Sequence, residues 1–203
     1  MRPWSKPLFA LAVLLGGCAV SSSPTDERSG VSAGARDGLK LASWNLEHLA
    51  ERDGEGCRPR TERDYAELRR HAAVLDADVI AFQEVESVGA AERVFTPDEY
   101  RIVIEERRAA GARGGCYGAP GRRLRAQKVG FAIRRGLSFT RHPDLSELGL
   151  GNADLRTGVD VTIRAGQPLR LLAVHLKSGC NSGRAPSDRD CDTLFRQVPV
   201  LER

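Results

Sequence analysis

The segment D-V-I-A-F-Q-E, residues 78–84, is a short apolar run that ends in two polar side chains. Two other segments share this design: L-K-L-A-S-W-N, residues 39–45, and L-R-L-L-A-V-H, residues 169–175. Branched and bulky apolar residues over such a length, followed by turn-like sequence, predict buried β-strands. Sites in mixed sheets are commonly built where strands end. The polar residues at these strand ends are therefore candidates for function: Asn45, Glu84 and His175.

An amphipathic helix is predicted between the first two strands, over residues 62–75. Its apolar residues share one helical face: Tyr65, Leu68, Ala72 and Leu75. Thr61 is placed to cap this helix, and Asp64 is placed to reach back to it in a capping box. The predicted chain therefore opens with a strand, a helix and a second strand.

The remaining pattern contains short strands and few helices. A short helical stretch follows the second strand and ends near Val94, and further strands are predicted at residues 100–104, 127–134 and 158–164. The last apolar residues have helical spacing: Leu194, Phe195, Val198 and Leu201. Because proline lacks the backbone N–H, Pro199 is expected to kink or interrupt that helix.

Residues 1–17 have the composition of an export signal. Arg2 and Lys6 form a short positive region, and residues 8–15 are apolar but too few to span a bilayer permanently. The sequence L-G-G-C that follows ends in Cys18 and resembles a bacterial lipobox, in which the cysteine is diacylated and becomes the new N-terminus. An ordinary signal peptide cleaved nearby is the alternative.

Residues 18–38 are rich in Ser, Gly, Pro and charge, and they predict a flexible tether. With a lipid on Cys18, we expect the protein in the bacterial cell envelope, anchored on the periplasmic or extracellular face. Residues 39–203 are enough for one core and predict a single domain. Without residues 1–17, 29 of the 31 Lys and Arg residues remain against 27 Asp and Glu. This balanced charge does not indicate a class of partner.

Four cysteines follow Cys18: Cys57, Cys116, Cys180 and Cys191. An even number in an exported domain predicts disulfides, although four cysteines allow three pairings. Cys180 with Cys191 closes a short loop and is the preferred pair, which leaves Cys57 with Cys116. A zinc site is the alternative, but no C-x-x-C or H-x-x-x-H spacing supports it.

Four short segments carry a more specific signal through their order. They are S-W-N-L (residues 43–46), Q-E-V (83–85), K-V-G-F-A-I (128–133) and V-H-L-K-S (174–178). Together they resemble the successive signature motifs of the endonuclease/exonuclease/phosphatase superfamily, which contains metal-dependent phosphoester hydrolases. The resemblance implies an α+β, DNase I-like fold, in which a two-layer β-sandwich is flanked by helices. It also implies a site at one end of the sandwich, between the sheets.

The resemblance implies roles for three residues. Glu84 matches the family's metal-binding glutamate, Asn45 matches the asparagine that arranges the metal and the phosphate, and His175 matches the histidine that donates a hydrogen bond to the scissile phosphate. A divalent cation held by carboxylate oxygens suits this chemistry, because it neutralises phosphoryl charge and activates water. Mg²⁺ is the expected cofactor, and Mn²⁺ or Ca²⁺ could replace it. Lys177 is interpreted as a surface lysine.

A block of basic residues lies between two predicted strands: Arg107, Arg108, Arg113, Arg122, Arg123, Arg125 and Lys128. Such a block could contact a nucleic-acid backbone or anionic lipid headgroups. A solvated loop whose arginines reflect only composition is the alternative.

Two motifs of the family are not found. A full member continues with Gly-Asp-x-Asn and ends with an Asp-His pair, whereas the histidines here are His48, His71, His142 and His175. The sequence G-N-A-D at residues 151–154 has similar letters in the wrong order and is rejected. We therefore expect the chain to be the N-terminal part of such a domain. An unpaired edge and apolar surface on the second sheet, marginal stability and little hydrolase activity would follow.

Two functional hypotheses remain. The first is an exported, monomeric, magnesium-dependent hydrolase of phosphodiesters or phosphomonoesters, with endonuclease-like activity on DNA favoured. The second is a non-catalytic, membrane-tethered remnant that binds phosphate-bearing ligands or is inactive. A structural lipoprotein held by disulfides would leave the order of the motifs unexplained.

Overall fold

The computed structural model describes residues 38–108, 114–184 and 188–203. The predicted signal peptide, Cys18 and the tether up to residue 37 lie outside the described residues. Among the helices that are described, none has both the length and the apolar composition to cross a bilayer. In chain order the elements are β1 (Leu41–Leu49), α1 (Glu62–Leu75), β2 (Val79–Val85), α2 (Val88–Glu92), β3 (Tyr100–Ile104), β4 (Gly115–Cys116), β5 (Ala119–Arg123), β6 (Lys128–Arg134), β7 (Ser138–Arg141), a 3-10 helix (Ser146–Gly149), β8 (Val159–Ala165), β9 (Gln167–Ala173) and α3 (Arg189–Leu201).

These strands form two sheets and a ribbon. The first sheet has the order β1-β2-β6-β3. β1 and β2 are parallel, with α1 as the connection between them, whereas β6 is antiparallel to both of its neighbours. The second sheet, β7-β8-β9, is antiparallel throughout. β4 and β5 form a separate two-stranded ribbon.

Two apolar layers stabilise this arrangement. One lies between the first sheet and the helices α1 and α2, and it contains the aromatic side chains of Tyr65, Phe82 and Phe95. The other joins the two sheets, where Phe131 of β6 shares a cluster with Val161 of β8. The fold is therefore α+β, a two-layer β-sandwich with helices on the outer face of its first sheet, as the sequence predicted.

The central strand β6 contributes large side chains to one apolar layer and a glycine to the other. Its interior residues are buried on both faces, as in other strands covered on both sides. Val129, Phe131 and Ile133 pack in the layer between the sheets. Gly130 faces the other way, and a Cβ there would lie 2.6 Å from the ring of Phe82. The glycine is therefore what allows this ring to pack against the strand.

Most predicted strands are confirmed, with shifted ends. β1 continues past Asn45 to Leu49, and β9 ends at Ala173, so that His175 lies in the loop after the strand. Part of the predicted basic loop instead forms the ribbon of β4 and β5. Neither this ribbon nor β7 was predicted, because these strands are short and lack a clear apolar alternation.

One predicted helix end is confirmed and the other differs. Both halves of the capping box between Thr61 and Asp64 are present, and Asp64 accepts a hydrogen bond from the Thr61 backbone N–H at 2.7 Å. The Thr61 hydroxyl also lies 2.8 Å from the same carboxylate. The predicted interruption at Pro199 is wrong, since α3 is continuous to Leu201. Pro199 is exposed in the last turn, where its missing N–H costs a single bond near the helix end.

Both disulfides form with the preferred pairing. Cys57 bonds to Cys116 and joins the loop after β1 to the ribbon. Cys180 bonds to Cys191 and joins the loop after β9 to α3. These pairings exclude the alternative of a zinc site at the four cysteines.

Each sheet has a free edge that borders the same groove. In the described part of the chain, β1 pairs only with β2, and β9 pairs only with β8. The groove is lined by apolar side chains of both sheets, including Leu41, Phe131 and Leu171. Leu172 of β9, which also lines the groove, is 41% exposed, and Leu169 of the same strand is 40% exposed. The structure thus has the unpaired edge and the apolar surface that the sequence predicted for the second sheet.

Removing the longer-range disulfide should cost more stability. The sequence separation is 59 residues for Cys57–Cys116 and 11 for Cys180–Cys191. Loop-closure entropy then predicts a loss of about 4 kcal/mol for the pair Cys57→Ala with Cys116→Ala, and about 3 kcal/mol for Cys180→Ala with Cys191→Ala. Free energies of unfolding from urea titrations under oxidising conditions check this order. A larger loss from the second pair would contradict it.

A charge on the free edge should reduce aggregation without unfolding the protein. In Leu169→Lys the ammonium would face solvent at the edge of β9, where lysine opposes edge-to-edge pairing. We expect light scattering at a fixed protein concentration to fall severalfold, with an unchanged far-UV circular dichroism spectrum. Val74→Lys is the matched control, because Val74 is 71% exposed on α1, away from both edges. Equal effects of the two variants would show that net charge, and not the edge, controls aggregation.

Candidate active site

Glu84 lies at the centre of the predicted site. It is the penultimate residue of β2, and its side chain is 15% exposed. Its φ is 62°, in the left-handed region that residues other than glycine rarely adopt. The pairing of β2 with both neighbouring strands changes register near this residue. Such irregularities turn side chains toward functional sites, and here the carboxylate meets the end of β1.

Asn45 orients one side of this carboxylate. Its Nδ2 donates to Glu84 Oε1 at 3.1 Å, and its Oδ1 accepts from the Glu47 N–H at 2.9 Å. Because a backbone N–H can only donate, the atom that it contacts must be the amide oxygen of Asn45. The amide nitrogen of Asn45 is therefore the atom that faces Glu84. Its role as a metal ligand stays a prediction.

A bulge in β1 brings His48 to the other carboxylate oxygen. Glu47 and His48 have φ values of 45° and 57°. The His48 N–H donates to Glu84 Oε2 at 3.2 Å, and His48 Nε2 lies 3.7 Å from the same oxygen. In a regular strand, residues 45 and 48 would face opposite sides of the sheet. The bulge is therefore what places both side chains beside Glu84.

Arg60 holds the bulge in place. Its Nη2 donates to the carbonyls of Leu46 at 2.8 Å and Glu47 at 3.1 Å, and its Nη1 donates to the carbonyl of His48 at 3.5 Å. The register with β2 is broken between Asn45 and Leu49, so the regular ladder does not continue through these residues. One guanidinium thus satisfies three successive carbonyls of the bulge.

His175 approaches Glu84 from the second sheet. Its Nε2 lies 3.9 Å from Glu84 Oε1. The buried Nδ1 of His175 has no hydrogen-bond partner among the described residues. Arg156 fixes the backbone here, since its Nε donates to the His175 carbonyl at 2.7 Å and its Nη2 to the Leu176 carbonyl at 2.9 Å. The structure thus brings together all three predicted residues, Asn45, Glu84 and His175.

The surroundings set the protonation states at this site. Burial alone would raise the pKa of Glu84, but the hydrogen bond from Asn45 and the imidazoles of His48 and His175 outweigh it and lower that pKa. Burial lowers the pKa of His175, and Arg156 lowers it further against the opposing effect of Glu84. At neutral pH the site therefore has a carboxylate next to a neutral imidazole.

Glu84 provides suitable oxygen atoms for a hard divalent cation. Each of its oxygens accepts one hydrogen bond, and each retains a second lone pair. Mg²⁺ commonly keeps several waters and binds through one or two carboxylates, which fits this donor. Across the described ranges, no group of three or more His, Cys, Asp or Glu side chains is arranged to enclose a metal ion.

Lys177 contacts α3. Its Nζ lies 2.9 Å from Asp190 Oδ1, and its N–H donates to Gln197 Oε1 at 2.8 Å. Gln197 is buried, and its Nε2 donates to the Leu148 carbonyl at 2.8 Å. Lys177 therefore helps to attach the loop that carries His175 to α3.

Much of the basic block is used inside the fold. Four of its members bond to other protein groups: Arg107, Arg122, Arg125 and Lys128. Arg107 pairs with the fully buried Glu105 at 2.9 Å. Arg108 and Arg123 are exposed, and Arg113 lies outside the described residues. The structure therefore gives these four residues contacts within the protein, and a contact of the block with nucleic acid or lipid stays a prediction.

Gln127 also lies at the site, where its Nε2 is 3.1 Å from His48 Nδ1. Four residues of the site were not predicted: His48, Gln127, Arg60 and Arg156. None of them lies at the C-terminal end of a predicted strand. Arg60 and Arg156 donate hydrogen bonds to backbone carbonyls, and no sequence pattern indicates such bonds. His48 could be found only by predicting the bulge in β1. A polar residue three positions after Asn45 otherwise indicates the opposite face of the strand.

Loss of Arg60 should loosen the bulge without unfolding the protein. In Arg60→Ala the carbonyls of residues 46–48 lose charged hydrogen bonds, so the bulge should open more often. We expect the amide proton of His48 to exchange roughly 10- to 100-fold faster, while the amides of β6 keep their protection. Arg63→Ala on the exposed face of α1 is the control. Unchanged exchange at His48 in Arg60→Ala would show that the bulge is stable without this guanidinium.

Comparison with known proteins shows a likeness to a solved structure. No family model and no curated protein matches the chain. A crystal structure of humanized D. rerio TDP2 carrying 14 mutations resembles it with a TM-score of 0.53 and 17% identity over 80% of this chain. TDP2 is a member of the endonuclease/exonuclease/phosphatase superfamily, and the match spans 54% of its chain. At this identity the likeness concerns the fold alone. The chain has a mixed α+β fold that is consistent with the DNase I-like class.

Proposed function

We propose that the protein is a metal-dependent phosphoester hydrolase of the endonuclease/exonuclease/phosphatase type, with phosphodiesters as its substrates. The observation that carries this proposal is the environment of Glu84. Its carboxylate is held by Asn45 and the His48 N–H, and two imidazoles approach its two oxygens. Three of the five non-glycine residues with positive φ in the described ranges, Glu47, His48 and Glu84, lie at this place, and such strain is common at active sites.

Glu84 would hold the metal, and Asn45 would keep its carboxylate correctly directed. Mg²⁺ is the cation we expect, with Mn²⁺ or Ca²⁺ as replacements, because the available donors are oxygen atoms. When bound, such a cation supplies charge neutralisation at the phosphoryl group and a more acidic water. The lowered pKa of Glu84 supports this role, since the carboxylate is ionised at neutral pH and ready to bind a cation.

His175 would bind the phosphoryl group of the substrate. A neutral imidazole carries one N–H donor, and a donor in a partly buried site stabilises the developing charge on a phosphoryl oxygen. Arg156 holds the His175 backbone, so the ring needs little reorganisation when substrate arrives. His175 therefore acts by hydrogen bonding to the phosphate, next to the carboxylate that holds the cation.

DNA is the polymeric phosphodiester that we favour, in an endonuclease-like reaction. The basic block adds little support, because much of it pairs within the protein, and only Arg108 and Arg123 are clearly exposed in the part that the structure describes. We also propose a monomer in the bacterial cell envelope, anchored through a lipid on Cys18.

A second candidate is a non-catalytic remnant that binds phosphate-bearing ligands or is inactive. One observation favours it: within the described residues, no three carboxylate, imidazole or thiolate groups are arranged to enclose a metal ion. Such a protein would bind phosphate near His175 without hydrolysing an ester. Activity measurements on the purified chain separate the two candidates.

Replacing Glu84 by Gln should abolish hydrolysis. The amide keeps the size of the side chain but loses the negative charge that holds a divalent cation. With bis(p-nitrophenyl) phosphate and Mg²⁺, we expect kcat to fall at least about 100-fold. EDTA should inactivate the wild type to a similar extent, and added Mg²⁺ should restore it.

The matched control is Glu67→Gln, because Glu67 is an exposed glutamate paired with Arg70 on α1. It should keep the wild-type rate. If the wild type hydrolyses no ester with Mg²⁺, Mn²⁺ or Ca²⁺, the catalytic proposal is wrong and the remnant replaces it. If Glu84→Gln retains full activity, the metal is held elsewhere.

A further inference from the structure

His48 is a second imidazole at the site, outside the set of residues that the motifs identify. Its side chain is 25% exposed, so it is neither fully packed in the core nor free in solvent. Its Nε2 lies 3.7 Å from Glu84 Oε2, whereas His175 Nε2 lies 3.9 Å from Glu84 Oε1. The two rings therefore approach different oxygens of the same carboxylate.

Gln127 determines which nitrogen of His48 carries the proton. The Nε2 amide of Gln127 lies 3.1 Å from His48 Nδ1. With the amide of Gln127 in this orientation, its nitrogen donates to Nδ1, and the proton of an uncharged His48 ring is then on Nε2. The N–H of His48 is thus on the side of the ring that faces Glu84.

The backbone keeps this donor in position before any ligand arrives. The backbone N–H of His48 donates to Glu84, and the carbonyls of residues 46–48 accept hydrogen bonds from Arg60. The separation of 3.7 Å between the ring Nε2 of His48 and Glu84 Oε2 exceeds a hydrogen bond. The ring Nε2 therefore lies beside Glu84 without a hydrogen bond to it.

We propose that His48 donates a hydrogen bond from Nε2 to a phosphoryl oxygen of the ligand, as a second phosphate-binding residue beside His175. This inference rests on the proposed function for the identity of the ligand as a phosphate group. Two imidazole donors on either side of one carboxylate fit a tetrahedral oxyanion, because a phosphodiester offers two non-bridging oxygens. His48 is then a binding residue that touches the substrate, with Gln127 and Arg60 as the residues that position it.

The test measures binding of inorganic phosphate, so that it does not depend on turnover. Phosphate is titrated calorimetrically, in the presence of Mg²⁺, into the wild type, His48→Met and His48→Gln. Methionine fills similar space without a donor, whereas the glutamine amide can place a donor near the position of Nε2. We expect Kd to rise roughly 10-fold or more in His48→Met and to recover in part in His48→Gln. His71→Met, in the exposed histidine of α1, is the control and should bind as the wild type does.

Two further measurements separate binding from a merely structural role. Mn²⁺ affinity, followed by water proton relaxation, should be the same in His48→Met and the wild type if Glu84 keeps its position. Long-range ¹⁵N–¹H spectra should show the proton of His48 on Nε2, and Gln127→Leu should weaken that preference. Loss of Mn²⁺ affinity together with phosphate affinity would assign His48 to positioning Glu84 and overturn the proposal.

The outcomes also separate this inference from the proposed function. Unchanged phosphate affinity in His48→Met overturns the inference, even if the wild type hydrolyses bis(p-nitrophenyl) phosphate. Absence of phosphate binding by the wild type overturns it as well. Phosphate binding that depends on His48, in a wild type without hydrolytic activity, supports the inference and removes the catalytic proposal.

Discussion

The position of the Glu84 carboxylate constrains the rest of the site. Around this carboxylate the backbone leaves ordinary strand geometry at Glu47, His48 and Glu84. Each of these three conformations costs about 1–3 kcal/mol. That cost is offset locally. The carboxylate accepts hydrogen bonds from both sides, and Arg60 satisfies the carbonyls that the bulge withdraws from the sheet. The strained segment thus persists because its polar groups are paired.

The sheets around this segment provide the rigid frame. β2 is covered by helices on one face and by the second sheet on the other, so its end cannot move independently. The loop that carries His175 comes from the opposite sheet and is held by Arg156 and by Gln197 of α3. Residues that are far apart in sequence therefore meet with little freedom, as the proposed binding of a phosphate group between them would require.

The sequence could predict those parts of the fold in which local pattern and burial agree. β2 and β6 are continuous apolar runs because both of their faces are covered, and α1 has a clear apolar face and an acidic cap. The ribbon of β4 and β5 could not be predicted, since its stability comes from a disulfide and from Arg122 bonding to the Gly54 carbonyl. Three residues of the site, Asn45, Glu84 and His175, could be predicted from the sequence motifs and from their positions at the ends of predicted strands. His48 could not, because its place depends on a register break between two strands.

The two disulfides lie at the loops on either side of the site. One secures the loop that follows the β1 bulge, and the other secures the loop that follows His175. Neither disulfide joins one strand of the two sheets to another, so both act on the loops that carry the site. A chain made in a reducing compartment would lack both links, together with the roughly 4 and 3 kcal/mol that loop closure assigns to them. The compartment chosen for recombinant expression would therefore decide which form of the site is obtained.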